Sequence, residues 1–108
     1  MRKIIMIKHF DGKDFNEDIK EGITLVDFFA TWCGPCKMLM PEVETLATEK
    51  TDINYLLIDI DKFRDLAIKS NIRSVPTLVL FKDGVEISKR SGFAPKEDLL
   101  KWILEHQK

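Results

Sequence analysis

The chain has 108 residues and a mass of 12.5 kDa, and its 17 basic and 18 acidic side chains give a formal net charge of -1. This length predicts one domain over residues 1–108, which buries about two-thirds of its unfolded surface and folds without requiring a disulfide. The balanced charge gives no indication of the strongly basic surface typical of proteins that bind nucleic acid or anionic membranes, so neither is expected as a partner.

The N-terminal part is predicted as a strand over Arg2 to Phe10, followed by a turn at Asp11-Gly12 and a short helix over 13–20. The apolar stretch before Lys8 has only four residues, fewer than the roughly 7–15 in the apolar core of a signal peptide. No apolar run approaches the roughly 20 residues that cross a membrane. We therefore expect a cytoplasmic protein, and in that compartment cysteines are more often catalytic than structural.

The run from Ile23 to Ala30 is predicted as a strand that is apolar on both faces. Such double-sided burial is typical of a central strand. A helix is predicted from Gly34 to about Lys50, with a kink at Pro41. Its apolar stripe is formed by Leu39, Val43, Leu46 and Ala47.

Asn54 to Ile60 is predicted as the next strand, parallel to the preceding one, because the intervening helix makes a right-handed crossover. A helix is expected over 61–71. Asp59 and Asp61 are interpreted as charged residues at a strand end and a helix start, in preference to a metal-binding pair.

Two strands over 77–82 and 85–91, joined by Asp83-Gly84, have the form of an antiparallel hairpin. Pro95 opens a last helix. The residues expected to face inward from it are Leu99, Leu100, Ile103 and Leu104. The predicted fold class is therefore α/β, a mixed five-stranded sheet with helices on both faces.

The only two cysteines lie three positions apart where the central strand meets the following helix, in the string Trp32-Cys33-Gly34-Pro35-Cys36. Pro35 suits the first turn of a helix, where no backbone N–H is required. Cys33 is thus expected at a helix N-terminus, where free N–H groups and the helix dipole favour the nucleophilic thiolate over the thiol. This arrangement predicts reversible thiol–disulfide chemistry.

A Cys-x-x-Cys pair also occurs as half of a zinc or iron–sulfur site. A closed zinc site takes four protein ligands, and the remaining soft candidates, His9 and His106, lie near opposite ends of the chain without ligand spacing. We therefore expect no metal and no cofactor. A structural disulfide would enclose only Gly34 and Pro35, so it would stabilise the fold little through loop closure.

The segment from Asp27 to Lys37, with its Trp-Cys-Gly-Pro-Cys-Lys string, resembles the active-site segment of the thioredoxin family. Val75-Pro76-Thr77, Lys82-Asp83-Gly84 and Gly92 resemble the rest of the family pattern, in the same order. The similarity covers essentially the whole chain. It implies the strand order 1-3-2-4-5 and the activity of a protein-disulfide reductase that acts on disulfide-containing proteins and is re-reduced by a thioredoxin reductase. We expect it to act as a monomer.

The expected reaction begins with attack of the Cys33 thiolate on a substrate disulfide, after which Cys36 attacks the mixed disulfide and leaves a Cys33–Cys36 disulfide. Cys36 is expected to be the more buried cysteine and to need a base. Asp27 is the candidate, because it interrupts an apolar strand on the face of Leu25 and Phe29, where desolvation raises a carboxyl pKa. In the family, the matching Asp accepts the proton.

The resemblance also implies a cis bond before Pro76, with the Val75 backbone aimed at an extended substrate that pairs as an added strand. Gly34, Pro35 and Pro76 are the residues expected to tune the redox properties of the cysteine pair. A flat, weakly polar surface, here named the contact face, is predicted to bind substrate through Trp32, Gly34, Pro35, Ile60, Val75, Pro76, Gly92 and Phe93.

Two positions depart from the common family pattern. Phe29 stands where many thioredoxins have a second Trp, and we expect this to alter fluorescence more than chemistry. Leu57 stands where many have a Lys near the buried Asp. Without that cation, the pKa of Asp27 is expected to lie higher, and its proton transfer is expected to differ.

Two other functions fit the same motif. A dedicated family member would serve one partner or act as an oxidant, although Gly34-Pro35 favours the reductase by resemblance. A binding module would dock a partner through the contact face, as in thioredoxins that are subunits of larger assemblies, but the presence of both Cys33 and Cys36 favours redox activity.

Overall fold

The computed structural model of the protein describes residues 7–108, which form five strands and four helices. The strands are β1 (Ile7–His9), β2 (Ile23–Phe29), β3 (Asn54–Asp59), β4 (Thr77–Lys82) and β5 (Val85–Ser91). The helices are α1 (Phe15–Ile19), α2 (Gly34–Glu49), α3 (Arg64–Lys69) and α4 (Lys96–Gln107).

The five strands form one mixed sheet in the order β1-β3-β2-β4-β5, as the family resemblance implies. β3 is parallel to both β1 and β2, while β4 is antiparallel to β2 and β5. The first predicted strand is confirmed at Ile7–His9, and the rest of it before residue 7 lies outside the described residues. In the strand order, β2 is the third of the five strands and so occupies the centre of the sheet.

Both faces of β2 are buried, as its apolar sequence predicts. Leu25 packs in one core beneath α2 and α4, to which those helices contribute Leu39, Val43, Leu46, Ala47, Leu99, Trp102 and Ile103. Val26 and Phe28 pack in the other, which includes Ile19 of α1 and is bordered by Leu66 of α3. The helices thus cover both faces of the sheet.

Short-range hydrogen bonds fix the turns between these elements. The Asp14 carboxylate accepts the backbone N–H of Glu17 at 3.1 Å and so caps α1. In the β4–β5 turn, Asp83 and Gly84 both have positive φ, at 50° and 87°, which a two-residue hairpin loop of this kind requires. Both hairpin strands have the predicted bounds.

Three predictions about the helices are corrected. α1 begins at Phe15, after its N-cap residue Asp14. α3 spans only Arg64–Lys69, because the chain between β3 and α3 makes turns. In α4, Leu104 is 47% exposed, whereas Trp102 is buried. The buried side of α4 is formed by Leu99, Trp102 and Ile103. Leu104 follows Ile103 in the chain and lies outside this buried side.

α2 remains one helix from Gly34 to Glu49 and includes Pro41. In the part of the chain that the structure covers, no helix has the length and apolar character needed to traverse a bilayer.

Candidate active site

The redox pair lies where the chain leaves the end of β2 and enters α2. Cys33 is the N-cap residue of α2, with an extended backbone at φ -90° and ψ 115°, and Pro35 lies in the first turn. The backbone N–H of Cys36 donates to the Cys33 sulfur at 3.1 Å. The helix start therefore directs a hydrogen bond and its positive end at this sulfur, which favours a thiolate when the pair is reduced.

Cys33 and Cys36 are joined as a disulfide, with their Cα atoms 5.2 Å apart. Cys33 is 5% exposed and Cys36 2%, so the expected order of burial holds, but the difference is small. The pair packs with Ala30, and Phe29, Ile60 and Val75 border it. The surroundings of both sulfurs are thus apolar.

The loop before β4 brings the Val75 backbone to the redox pair. The carbonyl oxygen of Val75 lies 3.6 Å from the Cys33 sulfur, and the Val75–Pro76 peptide bond is cis, as the resemblance implies. Gly92 donates its N–H to the Pro76 carbonyl at 2.9 Å, and the Thr77 hydroxyl donates to the Ser74 carbonyl at 2.7 Å. These bonds hold the loop from both sides.

The contact face surrounds the pair unevenly. Trp32, Gly34, Pro35 and Phe93 are exposed, Ile60, Val75 and Gly92 are half-buried, and Pro76 is buried. Trp32 is 67% exposed, yet its indole Nε1–H donates to an Asp61 carboxylate oxygen at 2.8 Å. The sequence predicts Asp61 only as a charged residue at a helix start, because no local pattern links it to a tryptophan 29 positions away, and the structure places it in the turn before α3.

The neighbouring Asp59 has a local role. One of its carboxylate oxygens accepts the backbone N–H groups of Asp61 at 2.9 Å and Lys62 at 3.4 Å. It thereby stabilises the turn that carries Asp61. Within residues 7–108, no group of three or more His, Cys, Asp or Glu side chains is arranged to hold a metal ion.

Asp27 lies in the middle of β2 and is buried, with only 1% of its surface exposed. Neither of its carboxylate oxygens has a hydrogen-bond partner among the described residues. Burial raises the pKa of Asp27 to about 7, because the charged form loses its hydration and gains no compensating bond there. Its neighbours across the sheet are Leu57 on β3 and Leu78 on β4.

A mixed sheet of this topology with a Cys-x-x-Cys pair capping α2 defines a thiol–disulfide oxidoreductase of the thioredoxin-fold class. The family model for Thioredoxin matches residues 6–105, and the chain belongs to the thioredoxin family.

Similar proteins agree in sequence and in structure. The chain is 43% identical to thioredoxin from Chlamydia trachomatis over 102 residues, covering 94% of this chain and all of that protein. It is 47% identical to thioredoxin from Staphylococcus haemolyticus over 96 residues, covering 86% and 90% of the two chains. The structure of a mutant thioredoxin from Halobacterium salinarum superposes with a TM-score of 0.87 at 36% identity, covering 96% and 94%.

The protein therefore carries out dithiol–disulfide exchange through Cys33 and Cys36 and is a protein-disulfide reductase. Membership of the family implies disulfide-containing proteins as its substrates and a reductase that returns it to the dithiol state.

Proposed function

We propose that Cys33 is the attacking sulfur and Cys36 the resolving sulfur. The Cys33 thiolate attacks one sulfur of a target disulfide, the target S–S bond breaks, and the other target sulfur leaves as a thiolate. Cys36 then gives up its proton, attacks Cys33 and displaces the second target thiolate. Two electrons pass to the target, and a Cys33–Cys36 disulfide remains.

The observation that carries this assignment is the hydrogen bond from the Cys36 N–H to the Cys33 sulfur at 3.1 Å. It is made to the N-cap residue of α2, so it stabilises negative charge on Cys33. Cys36 lies within the first turn, and its own sulfur receives no hydrogen bond among those described in residues 7–108.

Asp27 is proposed as the proton acceptor for Cys36 in this reaction and as its proton donor when the pair is re-reduced. A carboxyl with a pKa of about 7 is suited to exchanging protons near neutral pH, since both of its forms are populated there. Its two oxygens, unpartnered within the described part of the chain, leave it free to accept a proton.

Substrates are proposed to dock on the contact face, with Trp32 and Phe93 as exposed apolar contacts. The Val75 backbone beside the Cys33 sulfur supports pairing with an extended target segment. Gly34, Pro35 and Pro76 are proposed to tune the pair by shaping the helix start and the loop opposite it.

We further propose that the protein is a monomeric single domain that works in the cytoplasm, away from membranes. A reductant needs a compartment that supplies reducing equivalents. The cysteines, Asp27 and the contact face all come from one chain, so no second copy is needed to complete the site.

The test is the reduction of insulin disulfides by dithiothreitol, with wild type compared to Cys33→Ser and Cys36→Ser. Wild type is expected to accelerate the reaction, and both variants are expected to lose most of this acceleration. A rate that is indifferent to both substitutions would overturn the assignment.

A further inference from the structure

Five residues form one row across the whole sheet at the level of Asp27. From β1 to β5 they are His9, Leu57, Asp27, Leu78 and Arg90, each opposite the next in the strand register. Residues directly opposite each other on neighbouring strands point to the same face of a sheet. The row therefore lies on the face that α2 and α4 cover.

Most directions out of Asp27 are closed by apolar side chains. Leu25 precedes it and Phe29 follows it on the same face of β2, and Leu78, which is fully buried, adjoins it on β4. The covering side of α4 consists of apolar side chains. Among the described residues, a proton on Asp27 has no polar partner through which it could leave in these directions.

The side of Asp27 that faces β3 is not closed in the same way. Leu57 is buried, but it lines a cleft of about 380 Å³ together with Ile7, His9, Met40 and Glu44. His9 and Glu44 are exposed, so the cleft reaches solvent. Leu57 therefore borders the cleft and is also the residue directly opposite Asp27 in the β2–β3 register.

We propose that this cleft is the route by which Asp27 exchanges its proton with solvent, and that Leu57 is the residue that gates it. The inference rests on the proposed role of Asp27 as proton acceptor. In each cycle the proton taken from Cys36 passes from the Asp27 carboxyl to water in the cleft, leaving a carboxylate. No electrons move in this step, and Leu57 acts as a positioning residue.

The charged and titratable groups around Asp27 are consistent with this route. His9 on β1 and Glu44 on α2 line the cleft and make its solvent-exposed opening polar. Arg90 lies at the other end of the row, where its guanidinium stacks 5.4 Å from the Trp102 ring. Asp59 lies farther along β3, opposite Phe29, and Cys36 is the proton donor itself.

The experiment compares Leu57→Ala with Leu56→Ala, which removes the same atoms from the same strand on the opposite face. Carbon-13 NMR of the Asp27 carboxyl follows its titration in both, and the pH profile of insulin reduction follows the reaction. Leu57→Ala is expected to admit water and lower the titration midpoint by about one pH unit or more, with a matching displacement of the pH profile. Leu56→Ala is expected to keep the wild-type midpoint.

A bulkier side chain and a smaller deletion complete the series. Leu57→Phe is expected to narrow the route, slow turnover several-fold and raise the solvent deuterium isotope effect. Leu57→Val, a smaller deletion, is expected to displace the midpoint in the same direction as Leu57→Ala if the alanine variant does not fold.

Equal midpoints in the Leu57 and Leu56 variants would overturn the gating proposal. An Asp27→Asn variant with the pH profile and rate of wild type would instead remove the role of Asp27 itself, so the two failures are distinguishable.

Discussion

Asp27 and Leu57 lie directly opposite each other on the parallel strands β2 and β3, so a buried carboxyl faces an apolar side chain. Desolvation accounts for the raised pKa of Asp27, and no cation within residues 7–108 offsets it. In the family pattern that the sequence resembles, a lysine is common at the position of Leu57. Proton transfer is therefore the step in which this protein is expected to differ from family members that have the lysine.

Replacing Leu57 with lysine is expected to lower the pKa of Asp27 from about 7, because an ammonium group beside a carboxyl favours the ionised form. The expected decrease is about 1–2 units, measured by carbon-13 NMR titration of the Asp27 carboxyl. Leu57→Met is the control, since it has a similar volume and no charge. The same decrease in both variants would rule out the charge as its cause.

Asp27→Asn is expected to stabilise the protein at pH 8 but not at pH 4. The folded-state pKa of about 7 lies above the ordinary value of 3.8, so the folded protein binds more protons between these values. Wild-type stability therefore falls as pH rises through this window, by up to roughly 4 kcal/mol in the free energy of unfolding.

Asparagine cannot ionise, and the variant should lose this pH dependence. Urea unfolding of the oxidised protein at the two pH values measures the difference, with the exposed Asp65→Asn as control. A gain of equal size at pH 4 and pH 8 would contradict the account.

Local patterns predicted much of the fold and the core of the site. The hairpin of β4 and β5 was predicted with its bounds, because Asp83-Gly84 suits the positive φ values of a two-residue turn. The placement of Cys33 at the start of α2 followed from Pro35 and the apolar strand before it. The strand order came from the family resemblance and is confirmed.

Long-range geometry could not be predicted in this way. The bond from Trp32 to Asp61 and the cleft beside Leu57 depend on how separate segments meet in space. The exposure of Leu104 was also missed, because a helical stripe does not by itself say how far the neighbouring layers extend. Burial of Asp27 was predictable, since its strand is apolar on both faces.

Removing the carboxylate of Asp61 is expected to release the Trp32 indole, which it holds at 2.8 Å. One hydrogen bond to a charged acceptor at an exposed site corresponds to about 1 kcal/mol, so Asp61→Ala should lower kcat/KM for a protein disulfide about five-fold. The emission of Trp32 should change as well, and a Trp102→Phe background isolates its signal. Asp65→Ala, which changes an exposed acidic residue four positions further along the chain, serves as control. Unaltered emission and kcat/KM in Asp61→Ala would refute the role of this bond.

Glu42 on α2 caps the neighbouring helix α4. Its carboxylate accepts the Lys96 backbone N–H at 2.7 Å, and the N-cap residue Pro95 has no side-chain bond of its own to offer. Glu42→Ala is expected to reduce the free energy of unfolding by about 1–2 kcal/mol, as loss of a helix cap does. Urea unfolding measures this against Glu44→Ala on the same helix. Equal loss in both variants would argue against the cap.

The most direct measurement is the trapping of mixed disulfides with a target protein. Cys36→Ser is expected to accumulate a covalent complex linked through Cys33, because the bond forms and the resolving sulfur is missing. Cys33→Ser should form none, since the attacking sulfur at the N-cap of α2 is gone. Non-reducing electrophoresis and mass spectrometry of the linked peptides identify the bond. Accumulation through Cys36 in Cys33→Ser, with none in Cys36→Ser, would contradict the assigned roles.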